Sequence, residues 1–162
     1  HNRAFLIETM GRQSGYLATQ AGIVTGAELV LIPEHKTPVE EVAAAIEEAY
    51  RRGKSHAIIV VAEGYKPQAL DLAAHLEAMD IGFSTRVTIL GHIQRGGKPT
   101  AFDRLIAQRF GVSAVEFLLA GLTGVMTGLR GNEIVPVPIE EVVTNTKKLS
   151  ERFIEMTRIL AK

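Results

Sequence analysis

Residues 57–64 read Ala57-Ile-Ile-Val-Val-Ala62-Glu63-Gly64. An unbroken, β-branched apolar run of this kind suits a strand covered on both faces, as strands in a parallel sheet are. Its end in a carboxylate and a glycine marks the turn out of the sheet. Working outward, the same pattern recurs. Ala4 to Glu8 (AFLIE) is a short apolar run, followed by the glycine-bearing MGRQSG and a helical stretch from Ser14 to about Thr25. Glu28 to Ile32 (ELVLI) stops at Pro33, which cannot donate to a ladder. Thr37, Pro38 and Glu40 predict a capping box, with hydroxyl, proline and carboxylate at the N-cap, first and third positions of a helix. That helix runs to Arg52 and ends at Gly53, with Glu40 and Glu41 at its amino end and Arg51 and Arg52 at its carboxyl end, as the macrodipole prefers.

A helix from about Gln68 to Met79, a strand at Thr85 to Leu90 and a long helix from about Thr100 to Ala120 continue the alternation. The fold class is therefore α/β, with a mostly parallel sheet and helices on both faces. Beyond Gly121 the character changes. Gly124 to Ile139 holds two short β-like runs around Arg130-Gly131-Asn132, and a final helix spans about Ser150 to Ala161.

Composition narrows the function. The 162 residues carry 18 Lys plus Arg against 18 Asp plus Glu, a formal net charge of zero. A phosphate polyanion or an anionic membrane surface is held mainly by excess cationic side chains, so neither nucleic acid nor membrane is an expected partner. With 46% hydrophobic and 22% charged residues, the chain can bury a core. There is no cysteine, which excludes thiolate zinc sites and Cys nucleophiles and fits a reducing compartment. No apolar run approaches the roughly 18 residues that span a bilayer, and no signal-peptide pattern opens the chain, so a cytoplasmic location is expected.

In open parallel sheets ligands bind outside the carboxyl ends of the strands. Those positions hold Met10, Gly11 and Arg12 after the first strand, Glu63 after the third, and His92 to Gly97 after the fourth. Gly11 and Gly15 flank a loop feeding a helix amino terminus, a ready place for a phosphate. Arg95, followed by two glycines, could make bidentate bonds to a phosphate dianion. Arg86 lies near the start of a strand that reads as buried, where a charge needs a partner or a ligand. A carboxylate at Glu63 could accept hydrogen bonds from sugar hydroxyls. Each residue has a plainer alternative: Arg12 and Arg95 as solvated surface cations, Glu63 as a cap or ion-pair partner, His92 as a buried, satisfied histidine. Convergence on one rim favours a binder of a small phosphorylated polyol. Neither the dinucleotide fingerprint nor Walker A is present, which disfavours a dinucleotide-dependent enzyme.

The strings IETMGRQSGY at Ile7 to Tyr16 and TILGHIQRGGKPTAFDR at Thr88 to Arg104 closely resemble the 6-phosphofructokinase family, specifically its carboxyl-terminal half. The resemblance covers essentially the whole chain. It implies an enzyme that transfers a phosphoryl group from ATP or pyrophosphate to the 1-hydroxyl of fructose 6-phosphate in glycolysis, in a bilobal subunit that usually forms a homotetramer. By position, Met10, Gly11 and Arg12 match the motif whose backbone and Met touch the sugar and whose Arg stabilises the transferring phosphoryl. Glu63 matches the carboxylate on the sugar hydroxyls, and His92 and Arg95 match holders of the 6-phosphate. Arg3 and Arg86 match arginines that reach a neighbouring subunit's site.

Glu28, Arg52 and Lys54 match the family's effector positions, with Arg52 replacing a frequent Lys. VAEGYKP and TGLRGNEIVPVP look closer to the branch whose members use ATP or pyrophosphate and often lack allosteric control. The resemblance also assigns lobes: residues 1–92 to the sugar-phosphate lobe, 93–131 to a return into the nucleotide lobe, 132–143 back again, and 144–162 to a carboxyl-terminal crossing helix. The family's nucleotide loop, aspartate base and Mg2+ ligands belong to an amino-terminal half with no counterpart in these residues, so the chain by itself is expected to be inactive. A free-standing, non-catalytic sugar-phosphate module is the alternative.

Overall fold

A computed structural model describes residues 3–145 and 149–161. In chain order the elements are β1 (Arg3–Thr9), α1 (Tyr16–Thr25), β2 (Leu29–Leu31), α2 (Val39–Arg51), β3 (His56–Ala62), α3 (Ala69–Ala78), β4 (Ser84–Ile89), a 3-10 turn (Gly91–Arg95), α4 (Ala101–Leu119), β5 (Val125–Arg130), β6 (Glu133–Pro138), α5 (Ile139–Thr144) and α6 (Glu151–Leu160). Contacts divide the chain into two compact units. One runs to Gly96 and takes in the chain from Leu149 onward; the other begins at Gly97 and lies between them.

In the first unit β2, β3, β1 and β4 form one parallel sheet in that order. The alternation along β1 and β3 decides what lies on each face. Leu6, Ile59, Val61 and Leu31 join Val42, Ile46, Leu72 and Leu76 of α2 and α3 in one buried cluster. On the other face Val60 and Ala62 meet Ala18 of α1, with Ile154 of α6 packed against them. β3 is therefore covered on both sides, as the Ala57–Ala62 run predicts. Truncating an interior member such as Ile59, which is fully buried, would cost about 2–5 kcal/mol. The register aligns Thr9 with Ala62 and Glu8 with Ile89, so β1, β3 and β4 reach the same carboxyl rim.

Two local expectations need correction. No capping box forms at Thr37: Pro38 has φ −58° and ψ 149°, so the chain is still extended there and α2 starts at Val39. Thr37 thus lies outside the helix, and its buried carbonyl accepts instead from the Tyr65 hydroxyl at 2.6 Å. A capping box does form at Thr100, whose hydroxyl accepts from the Asp103 amide while the Asp103 carboxylate accepts from the Thr100 amide at 2.7 Å. Arg86 is not buried either. β4 is the edge of the sheet, only Thr85 of its residues is buried, and Arg86 is exposed with Nη1 donating to the Thr85 carbonyl at 2.8 Å. An edge position gives its charge access to water and removes the need for a partner.

The second unit is built on α4 and the antiparallel β5–β6 hairpin, paired from Val125↔Pro138 to Arg130↔Glu133. Arg130 Nη2 lies 3.0 Å from Glu141 Oε1 of α5. The expected lobe boundary between 131 and 132 falls on the hairpin turn, and the ladder holds both strands together in this one unit. Segment 144–162 includes residues 146–148 and 162, which lie outside the described residues; its helix α6 belongs to the first unit. No residue of α4 is buried, and Phe102, Leu105, Val112, Val115, Leu118 and Leu119 are exposed. Among the described residues no helix is long and apolar enough to cross a membrane.

Candidate functional site

The site begins where β1 leaves the sheet. Gly11 has φ 151° and Arg12 has φ 51°, so the chain turns through the left-handed region at a residue with a side chain. Such a conformation costs on the order of 1–3 kcal/mol and persists only where the surroundings enforce it. Three consecutive amides supply the enforcement. Met10 N donates to Gln94 Oε1 at 2.7 Å, Gly11 N donates to Glu63 Oε1 at 3.0 Å, and Arg12 N donates to the same carboxylate oxygen. Beneath the loop lies Gly64, where a Cβ would stand 1.9 Å from the Arg12 carbonyl oxygen. The carboxyl ends of β1 and β3 and the 3-10 turn after β4 are thus tied together around one short loop.

The amides of Arg12 and Gly11 hold the Glu63 carboxyl below the usual carboxylate range against the opposing effect of burial, and the nearby Arg12 and Arg95 guanidinium groups lower it a little further. Glu63 is therefore an anion that braces the loop and sits in the field of two cations. Arg12, His92 and Arg95 are exposed, and none is in a salt bridge among the described residues. His92 is not the buried, satisfied histidine of the plainer alternative. Exposed guanidiniums flanking a fixed carboxylate suit a ligand with both an anionic group and hydroxyls.

The helix amino terminus proposed for a phosphate is already taken. Gly15 N, at the start of α1, donates to both Glu34 oxygens at 2.9 and 3.0 Å. A protein carboxylate thus occupies the place that the dipole and free amides offer to an anion.

Arg3 and Arg86 stand apart from the rim. Arg3 opens β1 beside Ser84, and Arg86 pairs in register with Phe5, so both lie toward the amino-terminal part of the sheet and on one face of it. Six residues of strand, about 20 Å, separate Arg3 from Thr9. Of the three effector-position residues, the structure brings two together. Glu28, 8% exposed, receives Lys54 Nζ at 2.6 Å and the Ile58 amide, while its own amide donates to the Ile58 carbonyl. Arg52 faces Glu48 at 4.0 Å instead. Burial and the Glu28 charge push the neighbouring Tyr50 phenol up.

Among the described residues no group of three or more His, Cys, Asp or Glu is arranged to hold a metal ion. Sequence reasoning missed Gln94, Gly64 and Glu34. Gln94 carried a faint signal, since it lies between His92 and Arg95, but its partner is 84 residues away.

Comparison with known proteins places the chain in a family. A family model described as Phosphofructokinase matches residues 1–118. The ATP-dependent 6-phosphofructokinase of Thermotoga neapolitana is 50% identical over 161 residues, covering 99% of this chain and 50% of that protein. The protein of the same name from Bacillus mycoides is 43% identical over the same shares. The chain thus spans about half the length of the curated relatives it matches. Among solved structures, Pichia pastoris phosphofructokinase in the T-state superposes with a TM-score of 0.80 at 34% identity, over 99% of this chain and 20% of that one. A pyrophosphate-dependent phosphofructokinase from Marinobacter aquaeolei gives 0.77 at 21% identity, over 98% and 47%, a likeness of fold.

Proposed function

The chain belongs to the phosphofructokinase family, and from that premise we propose that it is the sugar-phosphate-binding half of a 6-phosphofructokinase subunit. The reaction is transfer of a phosphoryl group to the 1-hydroxyl of fructose 6-phosphate. ATP is the proposed donor, by likeness to relatives named ATP-dependent, and pyrophosphate is the alternative that the assay must include. The observation that carries the reading is the Glu63 brace. One carboxylate oxygen fixes the Gly11 and Arg12 amides, so the Arg12 guanidinium leaves the rim from a held backbone, beside the turn that bears His92 and Arg95.

Phosphoryl transfer is accelerated chiefly by positioning and charge stabilisation, which is what such a rim supplies. Arg95 and His92 bind the 6-phosphate, Met10 and Gly11 line the sugar, and Arg12 stabilises charge on the transferring phosphoryl. The second oxygen of Glu63 accepts from a sugar hydroxyl. Arg3 and Arg86, distant from this rim, serve a neighbouring copy's site in a homotetramer. Mg2+ would neutralise donor phosphates, and its ligands are assigned to the amino-terminal half; no step in these residues runs through it. The exposed apolar residues of α4 favour a covering partner surface over a free-standing module, and the missing half is the occupant proposed.

The test is a coupled assay on the intact native polypeptide with fructose 6-phosphate and either ATP or pyrophosphate. Turnover with one donor and Mg2+ is expected; turnover with neither rejects the proposal. Arg95→Ala should raise the KM for fructose 6-phosphate roughly 10- to 100-fold, since a charged hydrogen bond contributes about 1.5–3 kcal/mol. An unchanged KM would remove Arg95 from the site.

A further inference from the structure

We propose that Gln94 is a positioning residue that transmits capture of the sugar's phosphate to the loop carrying Arg12; the proposal rests on the function proposed above. Of the three consecutive loop amides, Glu63 holds two and, among the described residues, Gln94 alone holds the first, Met10. The bond is 2.7 Å long, and because Met10 N can only donate, the side-chain oxygen of Gln94 must face it. Gln94 lies between His92 and Arg95, directly after Ile93, within a five-residue 3-10 turn, too short for its members to move independently. When that turn closes on a phosphate dianion, Gln94 Oε1 draws the Met10 amide with it. Gly11 and Arg12, the latter in the left-handed region, follow directly in the chain, so a shift of the turn becomes a shift of the Arg12 guanidinium.

The side-chain chemistry suits this task. An acceptor is needed beside Met10, yet a second carboxylate there would add negative charge next to Glu63 and face the incoming phosphate. A neutral amide supplies the acceptor without the charge. Gln94 thus acts on the chemical step through the loop, while His92 and Arg95 act on binding.

The intact native polypeptide is compared with Gln94→Met, which keeps the volume and loses the acceptor, and Gln94→Glu, which keeps an acceptor and adds charge. Gln94→Met should lower kcat roughly tenfold with KM for fructose 6-phosphate within about twofold. Gln94→Glu should keep kcat within about threefold and raise KM, because its charge opposes the phosphate. A Gln94→Met enzyme with undiminished kcat, or one changed only in KM, overturns the proposal. So does a Gln94→Glu enzyme that loses kcat as severely as Gln94→Met.

Amide hydrogen exchange provides a readout independent of activity. Protection at Met10 should fall in Gln94→Met while Gly11 and Arg12 stay protected through Glu63; unchanged protection at Met10 overturns the proposal. Wild type that shows this protection pattern but no phosphofructokinase turnover sinks the proposed function instead. If Gln94→Met does not fold, as judged by circular dichroism, Gln94→Glu decides by its kcat.

Discussion

Gly64 offers the sharpest test of the loop geometry, through a single added methyl group. Its φ lies outside the left-handed region, so alanine is compatible with its backbone and Gly64→Ala acts through contact alone. The added Cβ would stand 1.9 Å from the Arg12 carbonyl oxygen, 3.0 Å from the Arg12 carbonyl carbon and 3.2 Å from the Gln13 Cα. All three neighbours are backbone, so no flexible side chain can swing aside. Ordinary contact begins near 3.4 Å, which requires the Arg12 peptide to retreat by about 1.5 Å. That movement works against the amide bonds of Gly11 and Arg12 to Glu63. Overpacking of this kind costs about 1–3 kcal/mol in stability. Misplacing a reacting group by about 1 Å can lower the rate roughly 100-fold. In the intact polypeptide, kcat/KM for fructose 6-phosphate should therefore fall by about two orders of magnitude, with a lower melting temperature. Activity within threefold of wild type at an unchanged melting temperature would refute the claim that the backbone of Arg12 is held against Gly64.

The other predictions concern the parts that frame the site. Glu28→Ala leaves the partly buried Ile58 amide without the Glu28 carboxylate and should destabilise the protein by about 1–3 kcal/mol. Lys54→Met leaves the buried Glu28 carboxylate bonded to the Ile58 amide but without its cation and should cost about 1.5–3 kcal/mol; a thermal melt indistinguishable from wild type would mean that water replaces the ammonium. Tyr65→Phe removes the 2.6 Å bond to the Thr37 carbonyl and should cost about 1 kcal/mol in a denaturant titration; no shift would mean that water replaces the hydroxyl freely. Because Glu63 is held below its ordinary value when folded, its contribution is present above about pH 4.3 and is lost as pH falls through the lower folded value. The difference in melting temperature between wild type and Glu63→Gln should accordingly shrink below that pH. A difference that grows on acidification would contradict the sign.

Much of the fold was legible because its strongest signals are local. The Ala57–Ala62 run marks a strand covered on both faces, and the alternation of short apolar runs with helical stretches points to a parallel sheet. What stayed illegible depended on neighbours. Arg86 reads as a buried charge because periodicity does not say whether a strand is central or at an edge, and β4 is an edge. Thr37 reads as a helix cap because its spacing to Glu40 fits, yet Pro38 remains extended and Tyr65 claims the Thr37 carbonyl. Gly15 reads as an open anion site because nothing nearby in sequence announces Glu34, whose carboxylate fills it.

The candidate site shows the same division within a single loop. Arg12, Glu63 and Arg95 stand out because charged residues at strand ends are conspicuous, and a sequence suggests what such groups could bind. It does not say what holds them. Gln94 and Gly64 are chemically quiet, and their roles exist only because the ends of β1 and β3 and the turn after β4 meet at one rim. Glu63 belongs to both sets. Read alone it is a ligand for hydroxyls; in the structure one of its oxygens is committed to two backbone amides. The same carboxylate lies in the field of Arg12 and Arg95, which lessens the repulsion between the two cations. Substituting it therefore disturbs loop shape, cation placement and ligand contact together, and a loss of activity at Glu63 cannot be assigned to any one of them. Gln94 and Gly64 touch the loop backbone without charge, and they are the positions where geometry can be altered while the binding groups remain intact.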